Sequence, residues 1–189
     1  MNTANKLTMI RVILIPIFLV LLYLDFEYSK YIALGVFIIA AITDVVDGFV
    51  ARTRNQITDF GKFMDPLADK VLTFAAMLWF VGTGLMPAWL VLIVIIREFM
   101  VTGMRLVAVA KGRVIAATMS GKVKTAVTIG CLVTMFLLDD IKAIMLHFGI
   151  LFPLDQWMLI TCWVLIGVTT LVSGIEYFFK NRDIMKMDM

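Results

Sequence analysis

The chain has 189 residues, 62% of them hydrophobic and 16% charged, with a mean hydropathy of +0.99. An ordinary soluble domain is about half apolar and about a quarter charged, so this composition excludes a conventional water-soluble domain and makes lipid the expected solvent. A net charge of +3 is too small to argue nucleic-acid binding, and the length suits one domain over residues 1–189.

A helix needs roughly 20 mostly apolar residues to cross the hydrocarbon core. In chain order the candidate runs are Val12 to Leu24, Tyr31 to Val50, Leu67 to Val81, Ala88 to Val109, Val123 to Leu138 and Trp157 to Phe179. The first is short for a span, so its helix is expected to begin near Leu7, with Asn5 to Arg11 lying in the membrane interface. Lys6 and Arg11 also suit a signal peptide, but no small-residue cleavage pattern follows before Asp25, and a retained helix is expected. The predicted fold is an all-α integral membrane protein with six transmembrane helices and an amino-terminal interfacial segment.

Basic residues beside membrane helices are retained on the cytoplasmic face. With the amino terminus inside, that face collects every Lys and Arg except Lys30 and Lys142, while Asp25, Glu27, Asp139, Asp140 and Asp155 fall outside. Both termini are therefore predicted cytoplasmic. His147 falls in an outer loop, and Cys131 and Cys162, inside apolar runs, read as small buried hydrophobes. No internal repeat supports a transporter built from two inverted halves.

Four carboxylates sit at the inner edge of the second and third runs: Asp44, Asp47, Asp65 and Asp69. A charge at the centre of a span costs about 2.5 to 3.5 kcal/mol on insertion scales and less near the interface, so each acid needs a partner or a function. Asp44 and Asp47 are three residues apart and Asp65 and Asp69 four, which puts each pair on one helical face. Gly48, Ala51 and Gly61 each lie four residues from one of these acids, hollowing the acidic faces. Clustered carboxylates repel one another, whereas hard divalent cations favour carboxylate oxygen and bridge to phosphate. Two Mg2+ or Mn2+ ions would match the charge, activating a nucleophile and stabilising a leaving phosphate. The bland alternative is an interfacial charge cluster with Arg52, Arg54, Lys62 and Lys70.

Written out, Asp44-x2-Asp47-Gly48-x2-Ala51-Arg52-x8-Gly61-x3-Asp65-x3-Asp69 resembles the signature of the CDP-alcohol phosphotransferase family at every fixed position. The resemblance implies that Asp44, Asp47 and Asp65 hold two metal ions and that Asp69 serves as ligand and general base. It places Gly48, Ala51, Arg52 and Gly61 around the CDP moiety of CDP-diacylglycerol, with Thr58 adding a hydroxyl contact. Asn5 and Thr8 lie in an amino-terminal stretch that also resembles a family segment near the nucleotide, a helix cap being the alternative. A homodimer surrounded by membrane lipid is implied as well.

A basic segment follows. Arg97 and Arg105 continue an uninterrupted apolar run, and Arg113, Lys122 and Lys124 come after it. Cations in such a run are costly unless they reach the interface or bind an anion, and guanidinium and ammonium groups recognise phosphate by charge-assisted hydrogen bonds. The stretches Arg97-Glu98-Phe99-x-Val101-Thr102-Gly103-x-Arg105 and Ile115-Ala116-Ala117-x3-Gly121-Lys122-x-Lys124-Thr125 resemble the family branch that makes phosphatidylglycerophosphate. That implies sn-glycerol 3-phosphate as acceptor, its phosphate held by Arg105, Lys122 and Lys124 with Arg97 and Arg113 behind them, and Glu98 holding one of the arginines. Two other readings stand beside this one. The same chemistry would serve phosphatidylglycerol, inositol phosphate or serine, and a cation channel or carrier would line its path with the acids.

Overall fold

A computed structural model describes residues 3–24, 26–54, 59–113, 115–116, 118–149 and 153–184, with side chains described for residues 13–24, 26–43, 70–113, 115–116, 118–149 and 153–183. The described residues form seven α-helices and no strand. They are α1 (Thr3–Tyr23), α2 (Ser29–Arg54), α3 (Asp59–Gly82), α4 (Ala88–Ala110), α5 (Met119–Phe136), α6 (Leu138–His147) and α7 (Leu154–Lys180), and a short 3-10 turn follows at Arg182–Ile184.

Each of the six apolar runs lies largely within one helix, but the helices outrun the apolar stretches. Helix α1 starts at Thr3 rather than near Leu7, α2 continues to Arg54, and α3 begins at Asp59. Hydropathy marks the solvent a residue prefers, whereas backbone hydrogen bonding continues into water wherever no breaker stops it. Helix α6 lies where the sequence predicts an outer loop, and His147 is its last residue. Among the described residues α7 is the one helix long and apolar enough to cross a membrane by length and composition. Helix α4 is at least as apolar on average but carries Arg97, Glu98 and Arg105.

The chain divides into two compact units, Met1–Trp79 and Phe80–Met189. In the first, α1 packs on α2 through Phe18 and Phe37, whose ring centroids lie 5.7 Å apart. Both rings are fully buried, together with Ala33 and Ala40, small residues that let the helices approach. The Trp79 indole N–H donates to the Leu22 carbonyl oxygen at 3.2 Å, fastening α3 to the end of α1 and satisfying a carbonyl that has no partner within its own helix.

In the second unit α7 packs against α4, α5 and α6. The buried positions of α4 are Leu90, Val91, Val94, Arg97, Val101, Met104 and Ala108, a stripe recurring every three or four residues. Those of α5 include Lys124, Thr128, Cys131 and Met135, and those of α7 Cys162, Ile166, Thr170, Ser173, Gly174 and Tyr177. The three stripes form a common seam. Phe80 against Phe136 at 4.7 Å and the Trp163 indole N–H donating to the Leu85 carbonyl at 3.0 Å close one end of it. Cys131 and Cys162 are free and buried, the Cys162 thiol lying 4.0 Å from the Cys131 carbonyl oxygen. The opposite side of α7 exposes Val164, Leu165, Val168, Leu171, Val172 and Ile175, a continuous apolar face.

Candidate active site

The acidic half of the predicted site lies on helical backbone. Asp44, Asp47, Gly48, Ala51 and Arg52 fall within α2, and Gly61, Asp65 and Asp69 within α3, so the three- and four-residue spacings are helical spacings. Asn5 and Thr8 lie inside α1, past its first residue. The side chains of all these residues, and Thr58 as a whole, lie outside the described residues. Among the described residues no group of three potential ligands gathers to hold a metal.

The basic residues are all described, and they divide into two buried and three exposed cations. Arg97 and Lys124 are 9% and 4% exposed and belong to the buried stripes of α4 and α5. Both donate to the same carboxylate oxygen, Oε1 of Glu98, Arg97 through Nη1 at 2.7 Å and Lys124 through Nζ at 3.0 Å. Consecutive helical residues do not face each other, so the Arg97–Glu98 contact requires the arginine to turn back along the seam. Two glycines give it room. A Cβ on Gly174 would come within 3.1 Å of Arg97 Cγ, and one on Gly121 within 3.5 Å of Arg97 Nη2. The Nε–H of Arg97 is buried without a hydrogen-bond partner.

The start of α5 is set by Thr118, whose hydroxyl accepts the Gly121 N–H at 3.3 Å and lies 3.0 Å from the Ser120 hydroxyl. Capping there fixes the register that turns Lys124 into the seam and leaves Lys122 exposed. Helix α4 ends in a left-handed Gly112 (φ 72°), with Gly112 N–H donating to Val109 and Arg113 N–H to Ala108 at 2.9 and 2.8 Å, so Arg113 leaves the helix into solvent. Arg105 is exposed but held. Its Nε donates to the Tyr177 hydroxyl at 3.3 Å, and its guanidinium carbon lies 5.6 Å from that ring's centroid. Tyr177 is fully buried on α7, against Val101 and Met104.

The structure thus joins Arg97 and Lys124 through Glu98, ties Arg105 to Tyr177, and leaves Lys122 and Arg113 at the surface. Sequence reasoning missed Tyr177 and the glycine slot. The paired Ser-Gly steps, Ser120-Gly121 and Ser173-Gly174, were the available signal, since small residues on two helices admit a large side chain between them.

The chain is similar to known proteins over most of its length. The family model described as CDP-alcohol phosphatidyltransferase matches residues 1–170. A protein of Bacillus subtilis (strain 168) named CDP-diacylglycerol–glycerol-3-phosphate 3-phosphatidyltransferase is 42% identical over 199 residues, covering 98% of this chain and 97% of that protein. Proteins of the same name from Salmonella typhimurium and Escherichia coli (strain K12) are 42% and 41% identical, each over 130 residues covering 66% of this chain and 70% of theirs.

Proposed function

Because the chain belongs to the CDP-alcohol phosphatidyltransferase family, we propose that it transfers the phosphatidyl group of CDP-diacylglycerol to sn-glycerol 3-phosphate, releasing CMP and phosphatidylglycerophosphate. The names of its relatives supply the acceptor. The observation that carries the acceptor's phosphate is the seam cluster, where among the described residues two nearly buried cations share a single carboxylate and positive charge exceeds negative. Serine, a zwitterion whose carboxylate is offset by its own ammonium, answers that excess less well than a phosphate monoester with nearly two negative charges.

The donor set suits a divalent metal: four carboxylates, hard oxygen ligands, in pairs at helical spacing within α2 and α3. Asp44, Asp47, Asp65 and Asp69 would hold two Mg2+ or Mn2+ ions, which when bound neutralise the diphosphate and make CMP a better leaving group. Asp69 takes the proton from the acceptor hydroxyl, whose oxygen bonds to the phosphatidyl phosphorus as the bond to the CMP oxygen breaks. Gly48, Ala51 and Gly61 leave clearance for the CDP moiety, Arg52 contacts its phosphates, and Thr58, Asn5 and Thr8 add polar contacts. Arg105, Lys122, Lys124, Arg97 and Arg113 make the acceptor's phosphate site. The family match runs across the division between the two units, which supports reading the chain as one membrane domain. We read it further as six spans with both termini and the site on the cytoplasmic side, working as a homodimer in lipid.

The test is the purified full-length protein with radiolabelled CDP-diacylglycerol and a panel of alcohols. CMP release should depend on sn-glycerol 3-phosphate and stop with a chelator; preference for phosphatidylglycerol, inositol phosphate or serine would overturn the acceptor, and ion flux without CMP release the enzyme itself. Asp69→Asn should abolish turnover while sparing metal and nucleotide binding more than Asp44→Asn does, and full activity in either variant would refute the assignment.

A further inference from the structure

We infer that Glu98 is a positioning residue of the acceptor site, holding Lys124 and Arg97 as a preformed pair of cations on which the acceptor's phosphate comes to rest. This rests on the reading that the acceptor carries a phosphate. Glu98 accepts from both cations through one oxygen, at 2.7 and 3.0 Å, while its own side chain is 14% exposed. A plain structural ion pair would balance one cation against one anion, because an unmatched charge removed from water is strongly unfavourable. Among the described residues the two cations of this cluster meet a single carboxylate. The Nε–H of Arg97 has no acceptor although the residue is nine-tenths buried, so a donor there is left unsatisfied.

The surroundings hold the pair still. Arg97 lies between Gly121 and Gly174; a Cβ on Gly174 would crowd its stem at 3.1 Å, whereas one on Gly121 would stand at ordinary contact distance from its guanidinium. Lys124 comes from α5, whose start Thr118 caps. Neither cation has to be ordered when phosphate arrives, so little binding energy is spent on immobilising them. Two different kinds of cation result: Lys122 and Arg113, exposed and free to attract an anion from a distance, and Lys124 and Arg97, fixed in advance to define where it stops.

Glu98→Gln keeps the shape of the side chain and one oxygen but loses the charge that anchors two cations. Steady-state kinetics on the full-length protein, varying each substrate in turn, should show KM for sn-glycerol 3-phosphate raised about tenfold, with kcat and KM for CDP-diacylglycerol within about twofold of the parent. Glu98→Asp should recover part of the loss. Gly174→Ala displaces Arg97 without altering Glu98 and should raise the same KM by a smaller factor, which keeps the test available if Glu98→Gln does not accumulate. A lower acceptor KM in Glu98→Gln would show that the carboxylate competes with phosphate instead of positioning its ligands. Equal losses for both substrates would make the cluster structural only, and unchanged kinetics would remove it from the site; each result overturns the inference. If the parent protein itself ignores sn-glycerol 3-phosphate, it is the proposed reaction that fails, and the variants are not needed to see it.

Discussion

Two groups of ion pairs in the second unit, Phe80–Met189, use the same side-chain chemistry in opposite surroundings. Arg97, Glu98 and Lys124 meet in the seam of α4, α5 and α7, each side chain 14% exposed or less. Lys142 of α6 and Asp155 at the start of α7 meet at 2.9 Å with side chains 56% and 25% exposed. The distances are nearly equal, so distance does not distinguish them. Water does. In the seam the charges cannot fall back on solvent when a partner is lost, whereas Lys142 and Asp155 exchange each other for water at little cost.

The largest effect is expected from Glu98→Leu, which leaves two buried cations facing each other. Breaking a buried pair from one side costs about 3–5 kcal/mol, and a drop of that size in denaturant or thermal unfolding in detergent would measure it. A loss no greater than that of an exposed pair would dissolve the contrast between the two regions.

Lys124→Met sharpens the contrast, because it removes one of the two buried cations and keeps the Arg97–Glu98 pair. Stability should change by less than about 1.5 kcal/mol, since burying an apolar chain of similar volume is often neutral or favourable. KM for sn-glycerol 3-phosphate should nevertheless rise about tenfold. Stability and acceptor affinity therefore separate at this position, where at Glu98 they fall together.

Arg105→Ala should act on the acceptor more weakly. The guanidinium is exposed and steadied by the Tyr177 hydroxyl and ring, so a rise of about three- to tenfold in acceptor KM is expected, with that of CDP-diacylglycerol unchanged. Tyr177→Phe keeps the ring and loses the hydroxyl, and should give only part of that rise. An unchanged acceptor dependence in Arg105→Ala would remove it from the pocket.

The helical plan was legible because apolar runs of span length are long-range signals, and six of them fall in helices. Helix α6 was not, since its ten residues contain Asp139, Asp140 and Lys142 and never build an apolar run. The acidic motif was legible as a pattern because its spacings are local and helical, yet the side chains that would test it lie outside the described residues. The basic segment was readable in kind but not in placement. Charge sorting put Arg97 and Lys124 on the cytoplasmic side, and the apolar run before Arg97 pointed to an anion site, but their burial shows only in the helix packing, where Arg97 continues the spacing of Leu90, Val94, Val101, Met104 and Ala108. What no spacing encodes is the pairing of Glu98 with Lys124, 26 residues apart on another helix. It exists only once α4 and α5 are packed against α7.

Lys142→Ala is the variant from which least is expected, and it is the control for all the others. Asp155 donates no proton at neutral pH and accepts the Lys142 ammonium, which raises the lysine's pKa above its ordinary value. A raised lysine pKa contributes stability that is complete below the unfolded-state value and is lost only as the pH climbs through the folded one. The pair therefore has no pH dependence from its lysine across neutral conditions, and its exposure leaves it screened by salt. Thermal midpoint, kcat and both KM values should match the parent at pH 7. If Lys142→Ala instead shifted acceptor KM as Lys124→Met does, binding would follow net positive charge wherever it sits, and burial in the seam would not be what defines the phosphate site.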